Sequence, residues 1–142
     1  MTAKQLSVFI ENRPGRLGDV LTVVKNSGVN ILSISLADTT EYGILRLIVN
    51  NPTVARDALV AAGFSGLLTD VLIVKIPHKA GCLQEILDII AGRNISIEYM
   101  YGLSVDGNDA SIVLKTNELT AALELLKENN IETLTSEEIS KH

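Results

Sequence analysis

The stretch LSVFIENRPGRLGDVLTVV, residues 6–24, decides the fold because it passes directly from one apolar periodicity to another. Its first apolar residues alternate, as in a half-buried strand: Leu6, Val8 and Ile10. Its later ones recur at helical spacing and mark one face of a helix: Leu17, Val20, Leu21 and Val24. Pro14 and Gly15 lie between the two patterns. A strand therefore ends and a helix begins across a short turn, and the two elements bury their apolar faces against each other.

A second copy of this stretch occurs 66 residues later, as LIVKIPHKAGCLQEILDII, residues 72–90. The periodic apolar positions named above fall on apolar positions of the second copy, and Gly15 falls on Gly81. The offset becomes 67 further along, as two pairs show: Leu59 with Leu126 and Phe64 with Ile131. Asp106-Gly107 is typical of a hairpin turn, which tolerates the one extra residue. The chain is an internal duplication.

Each half has the pattern strand, helix, strand, strand, helix, strand. The second helix of the first half is predicted near residues 53–62, after the start signal Asn51-Pro52. A unit of about 70 residues in this order is the split βαβ, ferredoxin-like arrangement, one antiparallel sheet with both helices on one face. We therefore predict an α+β protein of two ferredoxin-like βαββαβ units, residues 1–69 and 70–142.

The joint between the units is FSGLLTDVLIVKI, residues 64–76. This segment must provide the last strand of the first unit and the first strand of the second. We expect a short strand near Leu67 and a turn at Thr69-Asp70. A single long strand shared by both sheets is the alternative.

The composition bears on partners and location. At 142 residues and 46% apolar, the chain is able to bury a real core. Its 12 basic and 17 acidic residues give a net charge of −5 without a basic cluster, which argues against nucleic acid. No apolar run approaches the roughly 18 residues of a membrane span, and the start MTAKQLSVFI lacks the features of a signal peptide. We expect a cytoplasmic protein that binds neither nucleic acid nor membrane.

The turn before the first helix has the chemistry of an anion site. Gly15, Arg16 and Leu17 are expected to present free backbone N–H groups at the helix N-terminus, where a carboxylate is favoured. Gly15 has no Cβ and permits close approach of a ligand. The side chain of Asn12 offers an amide oxygen to an ammonium and an amide nitrogen to a carboxylate. A zwitterionic amino acid would find complementary groups here.

At these residues the sequence resembles the ACT domain family, regulatory modules of the split βαβ fold that typically bind amino acids. ENRPGRL followed by GVNILSI is similar to the serine-binding regulatory domain of D-3-phosphoglycerate dehydrogenases, whose pattern has histidine at the position of Ile10. The resemblance places Asn12 in the ligand-binding loop and Asn30 at a second contact, on the neighbouring unit. The ligand-binding residues that it implies in the first half are Asn12, Arg13, Pro14, Gly15, Arg16, Leu17, Asn30 and Ile31.

The second half keeps part of this motif in IPHKAGCL, with Ala80 in place of proline. His78 stands at the position of Asn12, and Ser96 at that of Asn30. The two loops should consequently differ in affinity or ligand. The corresponding candidates are His78, Lys79, Gly81, Cys82, Leu83 and Ser96.

In the ACT family, two units commonly join through their second strands, with the effector site at the seam. The resemblance implies the same arrangement here, with residues 30–36 facing residues 96–103 and the two sheets side by side. This pairing would also protect strand edges that otherwise invite aggregation. A homodimer is expected as well.

Each candidate also has a purely structural interpretation. Asn12 and Asn30 are of a type that often satisfies turn backbone groups, and Arg13 and Lys79 are of a type that is often only solvated. Cys82, the only cysteine, has no partner for an internal disulfide and too few companions for a zinc site, and we expect it to be an inert small residue.

No Ser-His-Asp, Cys-His or metal-ligand grouping is readable, so we expect neither an enzyme nor a cofactor. We predict a stand-alone tandem ACT protein that senses an amino acid and passes the signal to a protein partner or through self-association. The alternative is an interaction module without a ligand, such as a regulatory subunit of an amino-acid biosynthetic enzyme.

Overall fold

The computed structural model describes residues 2–38, 41–77, 79–106 and 109–142. Two compact units make up the chain. The N-terminal unit comprises Lys4–Thr69 and Ser140–His142, and the C-terminal unit comprises Asp70–Ile139 with the first residues of the chain. Within the described ranges, no helix is both long enough and apolar enough to cross a membrane.

The N-terminal unit is a sheet covered by two helices. Its elements are β1 (Ala3–Glu11), α1 (Arg16–Asn26), β2 (Ile31–Asp38), β3 (Tyr42–Val49) and α2 (Pro52–Ala61). Strand β3 pairs antiparallel with both neighbours, giving the order β2-β3-β1, so β2 lies at one edge of this unit's sheet. Helix α2 begins where predicted, because the side chain of Asn51 accepts a hydrogen bond from the N–H of Val54 and Pro52 is the first helical residue.

Both periodicities of residues 6–24 point into one core. The alternating residues of β1 and β3 meet the helical faces of α1 and α2 on the same side of the sheet. The most deeply buried of these side chains are Leu6, Val8, Val20, Val24, Leu45, Leu47, Ala55 and Leu59. This packing confirms the predicted unit, since each element has one apolar face and the faces close on each other.

The predicted turn at Thr69-Asp70 was wrong. One strand, β4, runs without interruption over Leu67–Ile76, and the boundary between the two compact units falls within it. Neither residue is glycine or proline, threonine favours extended backbone, and Asp70 keeps its carboxylate at the surface. Nothing local therefore stops the strand, and the alternative of one long strand is the observed one.

The C-terminal unit repeats the order of the first. After β4 follow α3 (Cys82–Gly92), β5 (Ile97–Asp106), β6 (Asp109–Thr116), α4 (Leu119–Glu128), β7 (Thr133–Leu134) and α5 (Ser136–Ser140). The antiparallel order is β7-β4-β6-β5, so β5 is the edge strand of this unit. Its core contains Leu72, Val74, Ile86, Ile90, Leu114, Ala122 and Leu126. The fold class is therefore confirmed: α+β, with two ferredoxin-like βαββαβ units in tandem.

The predicted hairpin turn at Asp106-Gly107 lies partly outside the described residues. Strand β5 ends at Asp106 and β6 begins at Asp109.

Candidate functional site

The turn between β1 and α1 is held by backbone hydrogen bonds and by one left-handed residue. Gly15 has φ of 87°, which an L side chain rarely adopts. The N–H of Asn12 donates to the carbonyl oxygen of Glu41 at 3.0 Å, and the N–H of Arg13 donates to that of Glu11 at 2.9 Å. These contacts fix the loop backbone without using its side chains.

Two of the three N–H groups expected at the helix start remain available. The N–H of Arg16 donates to the carbonyl oxygen of Arg13 at 3.4 Å, so the expectation that it is free was wrong. Within the part of the chain that the structure describes, the N–H groups of Gly15 and Leu17 donate to no oxygen. Gly15 is the N-cap of α1 and Leu17 lies in its first turn, where the helix dipole favours negative charge.

A cleft of about 100 Å³ opens beside this turn. Its lining residues are Ile10, Glu11, Asn12, Arg13, Leu17, Leu36 and Gly43. The side chain of Asn12 is exposed and has no hydrogen-bond partner among the described residues. Leu36 is 51% exposed. The cleft thus combines an unpaired amide with apolar walls from β2 and α1.

The two arginines of the loop are engaged differently. Arg13 Nε lies 3.1 Å from Glu11 Oε2, in a pair whose side chains are both more than half exposed. Such a pair is weak and opens easily to a competing carboxylate. The guanidinium carbon of Arg16 lies over the ring of Phe64, 4.3 Å from the ring centre, and Arg16 Nη1 is 3.3 Å from Asp19 Oδ2. Arg13 lines the cleft, whereas Arg16 packs away from it.

Asn30 and Ile31 lie far from the loop of their own unit. They stand at the opposite end of β2 from Leu36, about 20 Å away at the usual rise of a strand. The N–H of Asn30 donates to Asn50 Oδ1 at 2.9 Å, and its Nδ2 donates to the carbonyl oxygen of His142 at 3.1 Å. One unit alone therefore does not bring Asn30 to Asn12.

The corresponding turn of the C-terminal unit has the same backbone. Gly81 has φ of 87°, and the N–H of Cys82 donates to the carbonyl oxygen of Lys79 at 3.3 Å. Leu83 packs against the core, and the N–H of Ser96 donates to Asn117 Oδ1 at 3.0 Å. His78 lies outside the described residues.

A larger cleft in the C-terminal unit was missed from the sequence. It has a volume of about 340 Å³ and lies between α3, the end of β4 and the segment that joins α4 to β7. Among the described residues, Cys82 is the one predicted site residue on its wall. The sequence did not single out the other lining residues, which include Lys75, Glu85 and Glu132. One signal was present: relative to the first half, the repeat replaces Arg16 by Cys82 and Phe64 by Ile131, both smaller.

Among the described residues, no group of three or more histidine, cysteine, aspartate or glutamate side chains is placed to hold a metal ion.

Comparisons with known proteins place these repeats in context. The model of one protein family, described as the ACT domain pair, matches residues 1–142. The crystal structure of protein BT0572 from Bacteroides thetaiotaomicron is 34% identical with a TM-score of 0.93, over 100% of this chain and 98% of that one. The regulatory subunit of aspartate kinase from Thermus thermophilus is 18% identical with a TM-score of 0.62, over 88% and 91% of the two chains. The comparison with curated proteins gives no match.

Proposed function

Because the chain belongs to the family of ACT domain pairs, we propose that it is a regulatory protein whose N-terminal unit binds a free amino acid at the β1–α1 turn. The observation that carries this proposal is the unpaired amide of Asn12 on the wall of a cleft, next to the unused N–H groups of Gly15 and Leu17. A purely structural turn has no need of a side-chain amide directed at a cleft.

The groups of the cleft match the three parts of an amino acid. The N–H groups at the start of α1 suit the carboxylate, and the helix dipole adds to them. The amide oxygen of Asn12 suits the ammonium group. Leu17 and Leu36 form an apolar wall for a small side chain. Serine is the first ligand to test, since the loop resembles serine-binding domains, although Ile10 replaces the histidine of that pattern.

The cleft is too small to enclose a ligand by itself. At about 100 Å³ it falls below the 300 Å³ or more that is usual for small-molecule sites. A second wall is therefore needed, and we place it on a second copy of the chain, at a seam between ACT units formed through β2. The apolar side chains that β2 exposes fit this role: Ile31, Ile34 and Leu36. Asn30 at the start of a partner's β2 would then supply the second polar contact.

The output of such a sensor is a change in association, since the ligand stabilises whichever arrangement it contacts best. A regulatory subunit of aspartate kinase shares the fold, which supports a protein partner for this chain as well. We propose that the partner is an enzyme of amino-acid metabolism and that both proteins are cytoplasmic.

Thermal unfolding of the full chain against each of the twenty amino acids tests this function. A ligand at 100 times its dissociation constant adds about 2.7 kcal/mol, which raises the melting temperature by roughly 8 °C for a chain of this size. Asn12→Ala should abolish the increase. Asn26→Ala is the matched control, because it removes another exposed asparagine amide about 15 Å away, at the far end of α1.

Either of two outcomes would count against the amino-acid sensor. If no amino acid raises the melting temperature at millimolar concentration, the exposed apolar edge of β2 favours the second candidate, an interaction module that docks on its partner without a ligand. If amino acids stabilise the protein but Asn12→Ala weakens the effect of none of them, no ligand binds at the β1–α1 turn.

A further inference from the structure

In the first repeat, two larger side chains occupy positions that correspond to residues on the wall of the 340 Å³ cleft of the C-terminal unit. There, Arg16 crosses the ring of Phe64, and the Nε of Arg16 is buried without a hydrogen-bond partner. The repeat offsets of 66 and 67 put Cys82 and Ile131 at these two positions. Neither side chain reaches across, so the cleft stays open.

The inner wall of this cleft is aliphatic. Ile86 is buried in the core, and Ile89 and Ile131 are half-buried and pack against it. The thiol of Cys82 is also half-buried on this wall. At about 340 Å³ the cleft lies within the size range of small-molecule sites, and such sites bind mainly through apolar contact.

The charged groups lie at the mouth. Lys75 Nζ is 3.2 Å from Glu132 Oε2, and the Glu132 side chain is 71% exposed, so this pair stands where the cleft meets solvent. Glu85 adds a second carboxylate, for which the described part of the chain provides no cation. One positive and two negative groups at the same opening suit the zwitterionic end of an amino acid. Its carboxylate would lie on Lys75, and its ammonium group would lie between Glu85 and Glu132.

We propose that this cleft is a second binding site, specific for an amino acid with an aliphatic side chain of three to five heavy atoms. The side chain inserts between Ile86 and Ile131, and the zwitterionic head exchanges with the Lys75–Glu132 pair. Each buried methylene strengthens binding by about fourfold, so leucine should bind far more tightly than alanine. The cleft shares no residue with the loop site of the N-terminal unit.

The only cysteine gives a probe that reports on this cleft alone. The reaction of the full chain with Ellman's reagent is followed with and without each of leucine, isoleucine, valine, methionine and glycine. At ten times the dissociation constant, an aliphatic amino acid should slow the reaction of Cys82 about tenfold, whereas glycine should leave it unchanged. Isoamylamine and 4-methylpentanoate, which each lack one charge of the head, should protect at least tenfold more weakly than leucine.

Filling the cleft tests the same site without the thiol. Cys82→Arg combined with Ile131→Phe reproduces the packing of the first repeat, and the introduced arginine meets Glu85 where Arg16 meets Asp19. Calorimetry should show leucine binding to the parent chain and none to this double variant, with circular dichroism and the melting temperature as checks of its fold. Asn12→Ala should leave the protection of Cys82 intact.

Three results would overturn the second site. One is equal protection by glycine and leucine, or none by any aliphatic amino acid. Another is a heat of leucine binding that the folded double variant retains. The third is loss of protection in Asn12→Ala, which would assign the effect to the loop. An amino acid that raises the melting temperature through Asn12 and leaves Cys82 fully reactive supports the loop proposal, so the two proposals fail independently.

Discussion

Replacing Arg16 by methionine should stabilise the protein, although it removes an arginine in contact with an aromatic ring and a carboxylate. The guanidinium over Phe64 contributes about 0.5–2 kcal/mol, and the exposed pair with Asp19 about 0.3–0.5 kcal/mol. Against this, the buried and unpaired Nε costs about 1–3 kcal/mol, and a cation in the first turn of α1 costs about 0.3–1 kcal/mol. At the middle of these ranges, the destabilising contributions of the Arg16 guanidinium exceed its stabilising contributions by about 1 kcal/mol.

Methionine is the informative replacement because it keeps the apolar contact with Phe64 and carries no charge. Its thioether also makes a favourable contact with an aromatic ring, of about 0.3–1.5 kcal/mol. Alanine would remove the packing together with the charge and would mix two effects. Arg16→Met therefore isolates the guanidinium.

Urea unfolding followed by far-ultraviolet circular dichroism measures the effect. Arg16→Met should raise the free energy of unfolding by about 1 kcal/mol and the melting temperature by about 3 °C, with an unchanged denaturant slope. Arg13→Met is the matched control, and it should change stability by less than about 0.5 kcal/mol because the Arg13–Glu11 pair is exposed. A loss of about 1 kcal/mol or more in Arg16→Met would refute the reasoning, since the ring contact would then outweigh the buried Nε.

Other substitutions test the backbone and the core. Gly15→Ala should destabilise the protein by about 1 kcal/mol in thermal unfolding, because φ is 87° at that position. Gly18→Ala should stabilise the protein by about 0.5–1 kcal/mol in the same assay, because Gly18 lies inside α1 and has open space around it. Asn51→Ala removes the side-chain cap of α2 and should lower the free energy of unfolding, measured by urea titration, by about 1 kcal/mol. Glu118→Ala, at the equivalent position of α4, should lower it by less, because Glu118 makes no cap hydrogen bond. Leu59→Ala should cost about 2–5 kcal/mol by the same titration, since that side chain is fully buried, and a loss under about 1 kcal/mol would contradict the core assignment.

The sequence was sufficient for the elements whose pattern is local. The alternation of Leu6 and Val8 and the helical spacing of Val20 and Val24 each have one period, and the structure buries all four side chains in one core. The turn before α1 was readable as well, because Pro14 and Gly15 separate the two patterns, whereas the left-handed backbone of Gly15, with φ of 87°, was not predicted.

The uninterrupted strand β4 was harder to predict, because no residue pattern marks the place where a strand simply continues. Thr69-Asp70 was interpreted as a turn because two strands had to be drawn from one short segment, yet nothing in that pair stops a strand. The short helix α5 was missed as well. Its start is a capping box, in which the hydroxyl of Thr135 accepts from the N–H of Glu138 while the Glu138 carboxylate accepts from the N–H of Thr135, both at 3.3 Å.

The 340 Å³ cleft was beyond local reasoning because its size depends on side chains that are distant in sequence. Cys82 and Ile131 line the same cleft although they are 49 residues apart, and neither is unusual in its own segment. The replacement of two large residues by two smaller ones becomes visible only when the repeats are aligned and both positions are known to face the same space.

The two repeats keep their backbone contacts while their side chains differ, and this difference bears on function. Asn50 accepts from the N–H of Asn30 in one unit, and Asn117 accepts from the N–H of Ser96 in the other, at 2.9 and 3.0 Å. Because the two units share this hydrogen bond, the differences between their loops and clefts come from their side chains. At corresponding places, the first half packs Arg16 over Phe64 with a buried and unpaired Nε, whereas the second half has the 340 Å³ cleft. This asymmetry supports the proposal that the two units bind different ligands.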